Sequence, residues 1–201
     1  MGAVTTDNPN PKGNAMSRIP ALDPRTAPAP ARALLDAVQA QLGVTPNFIR
    51  VLAHSPKALE GFLGLHGAAA GFALDKATQE RIALAVAEGN ACEYCVSAHT
   101  AIGRHAGLTN DEMILNRRGG SADAKAAAIV TFAKALNDNV GAVTTAEFAA
   151  ARAAGLTDGE IVEIIAVVTI TLFTNIIGKA ARVEIDFPKV ALLAAQEKAA
   201  A

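Results

Sequence analysis

Apolar residues recur along most of this chain at intervals of three and four, the spacing that lines one face of an α-helix, and nothing in the pattern requires a strand. After a Pro-rich lead-in (Asp23, Pro24, Pro28, Pro30), Leu34, Leu35, Val38 and Leu42 share a face over 31–42, and Gly43 stops that helix. Thr45-Pro46 opens a short helix carrying Phe48, Ile49 and Leu52, and Ser55-Pro56 starts another with Leu59, Phe62, Leu63 and Leu65. Asp75 sits at an N-cap position ahead of a helix over about 76–88, which contains Glu80, Ile82, Leu84 and Val86 and is broken by Gly89-Asn90. The next helix begins at Ala91 and runs to His105 or Ala106, where Gly107 supplies a left-handed stop. Further helices fit 111–117, 123–137, 145–154 and 158–177.

The most apolar stretch, 161–177, is rich in β-branched residues, so its period alone does not exclude a strand, but its length favours helix. It is slightly short for a membrane span and contains Glu163 and Asn175, which makes it a buried core or subunit-interface helix and predicts an oligomer. A weak repeat joins Ala106-Gly107-Leu108-Thr109-Asn110-Asp111-Glu112 to Ala154-Gly155-Leu156-Thr157-Asp158-Gly159-Glu160, each copy ending one helix with Gly and capping the next with Thr or Asx.

With 201 residues the chain is long enough to bury a core without staples; residues 1–17 read as a flexible tail and 18–201 as one all-α domain. A net charge of -1 leaves no basic field for phosphates or anionic lipid, so neither nucleic acid nor a membrane surface is an expected partner. The N-terminus lacks the apolar run of an export signal, which gives a cytoplasmic expectation. The two cysteines lie three residues apart, where they cannot tie distant segments together, so they are not a structural staple.

Chemistry concentrates in Glu88-Gly89-Asn90-Ala91-Cys92-Glu93-Tyr94-Cys95-Val96-Ser97-Ala98-His99. Asn90 and Glu93 have capping-box spacing; with Asn90 as N-cap, Cys92 falls in the first turn, where free backbone N–H groups and the helix dipole favour a thiolate. Residues three apart in a helix have Cα atoms about 5 Å apart, within reach of a disulfide, so the pair can cycle between dithiol and disulfide. His99, four residues after Cys95, can take its proton or pair with its thiolate. A thiolate that attacks a peroxide becomes a sulfenic acid, which a neighbouring thiol converts to a disulfide before further oxidation. A carboxylate that orients His99 would come from Glu80 or Glu88, which lie within about 80° of each other around the preceding helix, so their spacing does not choose.

A structural zinc site would need four ligands; no further Cys exists, and His54, His66 and His105 have no ligand-like spacing, so no metal and no bound cofactor are expected. His54 and His66 lie on packing helices and His105 near a helix C-terminus; of the three, His66 is the foremost candidate to line the site.

Glu80-Arg81-Ile82, followed by Asn90-Ala91-Cys92-Glu93-Tyr94-Cys95-Val96-Ser97-Ala98-His99, resembles the alkylhydroperoxidase AhpD-like proteins of the carboxymuconolactone decarboxylase superfamily. The chain looks closest to their peroxidase-related branch, through Thr174-Asn175 and Asp186-Phe187-Pro188, with coverage from about residue 18 to 190. The resemblance implies an all-α fold of paired antiparallel helices in a homo-oligomer, trimer or hexamer. It also implies reduction of a small hydroperoxide, with Cys95 as the peroxidatic sulfur, Cys92 as the resolving thiol and Glu80 with His99 as a proton relay. The helix dipole argues instead for Cys92 as the better thiolate. Better-studied members carry a His between the two cysteines; here Glu93-Tyr94 stands there, and Tyr94 is at most a supporting residue.

The sequence thus predicts a hydroperoxide reductase regenerated by an external dithiol such as dihydrolipoamide or a thioredoxin-like protein. The alternatives are a redox-sensing or assembly protein without turnover, and a decarboxylase of the superfamily's namesake type.

Overall fold

The computed structural model describes residues 17–200, with side chains to Gln196, so the expected tail lies almost entirely outside the described residues. Among these residues there is no strand. The order is α1 (Ala29–Leu42), α2 (Asn47–Leu52), α3 (Pro56–Ala68), a 3₁₀ turn (Ala69–Gly71), α4 (Lys76–Gly89), α5 (Glu93–His105), α6 (Asn110–Arg117), α7 (Ala124–Asp138), α8 (Thr145–Ala153), α9 (Asp158–Ala180) and α10 (Leu193–Ala200). Most starts are fixed by side-chain caps: Ser55, Asp75, Thr109, Asp123, Thr144 and Thr157 each accept a backbone N–H from the first turn that would otherwise lack a partner. The 3₁₀ turn and α10 (LAAQEKAA) were not expected from the sequence.

The hub is α4, which packs against α5, α6, α7 and α9. Residues 79 to 87 are all buried except Arg81, and the small side chains of Ala83, Ala85 and Ala87 let its neighbours approach closely. One core cluster lies between α4, α7, α8 and α9, around Ile82, Val86, Ile129, Phe132 and Ile164. A second joins α1, α2 and α3 to the start of α5 and the segment after α9, and contains both cysteines.

The repeat is a shared turn. Gly107 and Gly155 adopt left-handed φ of 89° and 84°, and Leu108 N–H and Leu156 N–H reach back to Gly103 and Ala151 in the same pattern. The copies differ at the cap. Glu160 returns its carboxylate to Thr157 N–H, completing a capping box, whereas Glu112 is drawn elsewhere.

That carboxylate accepts from Arg81 Nε at 2.9 Å, Asn116 Nδ2 at 2.9 Å, Ser121 Oγ at 2.5 Å and Ala122 N–H at 3.0 Å, tying α4 to α6 and the turn after it. Burial opposes the charge, but these donors outweigh it and hold the carboxyl near a pKa of about 2. A depressed carboxyl contributes stability that is complete above its unfolded value of 4.5 and is lost as pH falls towards 2. Glu112→Gln should therefore lower unfolding free energy by about 2 kcal/mol at pH 7 and flatten its pH dependence between those values. Denaturant titrations across that range check this, and parallel curves for the two proteins would contradict it.

Helix α9 runs three residues past the expected end at Ile177. It is long and apolar enough to cross a membrane by length and composition, yet 44% of its most apolar window is buried inside the protein. Its outer face exposes Val162, Ile165, Phe173 and Ile176.

Candidate active site

The α4–α5 connection corrects one expectation. Asn90 is not the cap of α5, because it is held in the last turn of α4, donating its N–H to Val86 O at 3.0 Å. The chain reverses through Ala91, in the left-handed region at φ 51°, and the cap falls two residues later on Cys92, in extended conformation. Cys92 is thus outside the first turn, although its Sγ accepts the N–H of Cys95 at 3.4 Å. Cys95 is the third residue of α5. Both sulfurs therefore sit at the positive end of the helix, and dipole and register do not separate them as sharply as the sequence suggested. The two cysteines form a disulfide with Cα atoms 5.3 Å apart.

Freed from capping, Asn90 joins three elements. Its side-chain amide donates to Asn137 Oδ1 of α7 at 2.8 Å and Asn175 Oδ1 of α9 at 2.9 Å, and its carbonyl accepts from Lys179 Nζ at 2.6 Å. These contacts brace the turn that carries Cys92.

Glu80 points at α5: its Oε2 is 2.7 Å from His99 Nδ1 and its Oε1 is 2.7 Å from Lys76 Nζ. Burial raises the cost of charge on Glu80, but the His99 and Lys76 contacts overcome it and hold its pKa below the ordinary carboxylate value. With Nδ1 turned to a carboxylate, His99 keeps Nε2 as its second ring nitrogen, away from Glu80. Lys76 was missed by the sequence reading, although a Lys four residues before Glu80 on one helix was a readable signal.

Glu88 does not reach this cluster. It accepts from Arg117 Nε at 2.8 Å and from Leu193 N–H at 2.8 Å, fastening α6 and the start of α10 to α4. Tyr94 is also turned away: its hydroxyl accepts Phe48 N–H at 3.1 Å and faces Asp186, its ring stands edge-on to Phe187, and burial raises its pKa. It packs the wall behind the cysteines. His54 bonds Pro20 O at 2.8 Å, and His105 is exposed at the end of α5.

Both sulfurs are shut in, Cys92 at 1% exposure and Cys95 at 2%. Part of the cover is Gly178 of α9, where an added Cβ would meet Cys92 Sγ at 3.2 Å and Cys95 Sγ at 3.6 Å. Gly178→Ala should destabilise the oxidised protein by about 1–3 kcal/mol, because a disulfide has no free rotamer with which to yield. Denaturation under oxidising conditions measures it; a variant as stable as the parent would show that α9 is free to withdraw.

On the other side of His99 lies a cavity of about 410 Å³. Glu80, His99, His66, Lys76 and Gln79 contribute its polar lining, and Phe72, Leu74, Val167 and Ile170 part of its apolar lining. The sulfurs do not line it. Glu80 and His99 thus border the open space, which neither cysteine does.

Residues 56–138 match the model of the carboxymuconolactone decarboxylase family. No curated protein matches the chain. Among solved structures, the alkylhydroperoxidase AhpD core of an uncharacterized peroxidase-related protein from Ralstonia eutropha JMP134 is 27% identical with a TM-score of 0.75, covering 87% of this chain and 94% of its own. An uncharacterized peroxidase-related protein from Silicibacter sp. TM1040 is 23% identical with a TM-score of 0.73, covering 86% and 94%. A variant of the debrominase Bmp8 in complex with 2,3,4-tribromopyrrole is 19% identical with a TM-score of 0.72, covering 92% and 98%. The last two are likenesses of fold.

Proposed function

We propose that this chain, whose residues 56–138 match the carboxymuconolactone decarboxylase family and whose fold resembles an AhpD core, is a thiol-dependent hydroperoxide reductase whose Cys92–Cys95 pair cycles between dithiol and disulfide. The observation that carries this reading is the buried Glu80 carboxylate 2.7 Å from His99 Nδ1, one turn beyond Cys95 on the same helix as the disulfide.

In the reduced protein His99 Nε2 takes the Cys95 proton while Glu80 stabilises the imidazolium. The thiolate attacks the terminal oxygen of the hydroperoxide and the O–O bond breaks. The electron pair leaves on the alkoxide, which takes the proton back from His99 and departs as the alcohol. Cys95 is then a sulfenic acid; Cys92 sulfur attacks it, water leaves, and the disulfide forms. An external dithiol, dihydrolipoamide or a thioredoxin-like protein, returns two electrons and two protons by thiol exchange. No metal or bound cofactor enters this cycle. Scission of the S–S bond frees the Cys95 side chain to rotate about χ1, which is how its sulfur gains access to the His99 side of the helix.

The same reading places the protein in the cytoplasm and makes it a homo-oligomer, trimer or hexamer, with the outer stripe of α9 against another copy; that exposed apolar face supports it. The function is tested by following loss of cumene hydroperoxide with excess dihydrolipoamide. Many equivalents consumed per chain support it. A single stoichiometric oxidation, unchanged by thioredoxin as an alternative dithiol, would leave a redox switch instead.

A further inference from the structure

The polar side chains around the cavity are mostly spoken for. Glu80 binds both His99 and Lys76, Gln79 donates to Ala69 O and Leu74 O, Thr171 donates to Val167 O, and Asp75 caps α4. Two lining side chains have no hydrogen-bond partner among the described residues, Gln41 near the end of α1 and the imidazole of His66 in the last turn of α3, and of these only His66 is held by ring contacts. Its ring is set by aromatic contact, 5.5 Å from the ring of Phe62, which in turn stacks on Phe173 of α9 at 5.8 Å. The side chain is therefore oriented without using either nitrogen.

We propose that His66 is a substrate-binding residue of this site, hydrogen-bonding the hydroperoxide group while the apolar walls at Phe72, Leu74, Val167 and Ile170 take its organic part. The proposal rests on the hydroperoxide-reductase reading and adds the residue that recognises the reacting group. A hydroperoxide has one O–H donor and two acceptor oxygens, and a neutral imidazole offers one acceptor and one donor to match them. His66 has the protonation for this task. Its outer edge is open to solvent, yet packing around the ring lowers its pKa, the charges of Lys76 and His99 lower it further, and Glu80 only partly opposes them. These surroundings favour the neutral imidazole. It has no role in the proton relay, which His99 and Glu80 complete between them.

A contact made equally to bound substrate and transition state appears in KM and leaves kcat alone. The test compares wild type, His66→Phe, which keeps an aromatic ring beside Phe62, and His66→Gln, which keeps a donor and an acceptor. With cumene hydroperoxide, His66→Phe should raise KM about 10-fold with kcat little changed, and His66→Gln should restore most of the loss. A wild-type KM in His66→Phe, or a defect that His66→Gln fails to repair, overturns the assignment. A second readout is independent of turnover: titration of the 15N-imidazole signals of the oxidised wild type with 2-phenyl-2-propanol, the alcohol product. A saturable shift of the His66 signal is expected, and its absence overturns the proposal. Absence of turnover in the wild type would count against the reductase reading alone, leaving the alcohol titration to decide on His66.

Discussion

Replacing Cys95 with serine is expected to lower hydroperoxide turnover by at least roughly 10³-fold while leaving the fold intact. A hydroxyl at that position keeps nearly the volume of the thiol but does not ionise near neutral pH, so neither a thiolate nor a sulfenic acid can form. Cys95 is buried, and both sulfurs lie close to where a Cβ on Gly178 would stand, so a small, isosteric change is the appropriate probe; a larger one would disturb α9 as well. Cys92→Ser should behave differently. It retains the first oxidation and loses the condensation, giving about one equivalent of peroxide consumed per chain and little thereafter. Equal loss of the first oxidation in both variants would contradict the division of labour between the two sulfurs.

The second large effect is expected at Glu80. Glu80→Gln keeps the shape of the side chain but removes the negative charge that faces His99 Nδ1 and Lys76 Nζ, and should reduce kcat/KM by about 10²–10³-fold. The loss should sit in the rate of the first oxidation by peroxide, measured in a single turnover, and not in the reduction of the disulfide by dihydrolipoamide. Glu88→Gln is the matched control, because that carboxylate serves Arg117 and the start of α10; its effect should appear in thermal stability with activity within about 3-fold of wild type. Were the two variants to exchange these phenotypes, the proposed proton relay would have been assigned to the wrong carboxylate.

That choice between Glu80 and Glu88 shows where the sequence stops being informative. Helix spacing puts both on nearby faces of α4, and a helix surrounded by α5, α6, α7 and α9 has neighbours for each. Only the positions of Arg117 and Leu193, far along the chain, reveal that the second is occupied. The helices themselves were legible because their starts are chemical: Ser, Thr or Asp at the cap, Gly in the left-handed turn after the end. The start of α5 was misread for a related reason. Asn90 has the right residue type and spacing for a capping box, but the carbonyl of Val86 already holds its N–H, and a residue in the last turn of one helix cannot open the next. Cys92 took over the cap, a role for which sulfur is a weaker and less expected acceptor. The cavity was beyond sequence reading, since α1, α3, the 3₁₀ turn, α4, α5 and α9 all contribute to its lining. His66 could be nominated but not placed. Gly178 carried no signal at all, because its value lies in what it leaves room for.

Both sulfurs are buried and neither lines the open cavity, so the chemistry depends on which sulfur is oxidised first. It is tested most directly by treating reduced Cys92→Ser and reduced Cys95→Ser with one equivalent of cumene hydroperoxide in the presence of dimedone, then mapping the adduct by peptide mass spectrometry. A dimedone adduct is expected on Cys95 in the first variant and none on Cys92 in the second. An adduct on Cys92 alone would reverse the roles of the two sulfurs, and no adduct on either would contradict the peroxidase reading altogether.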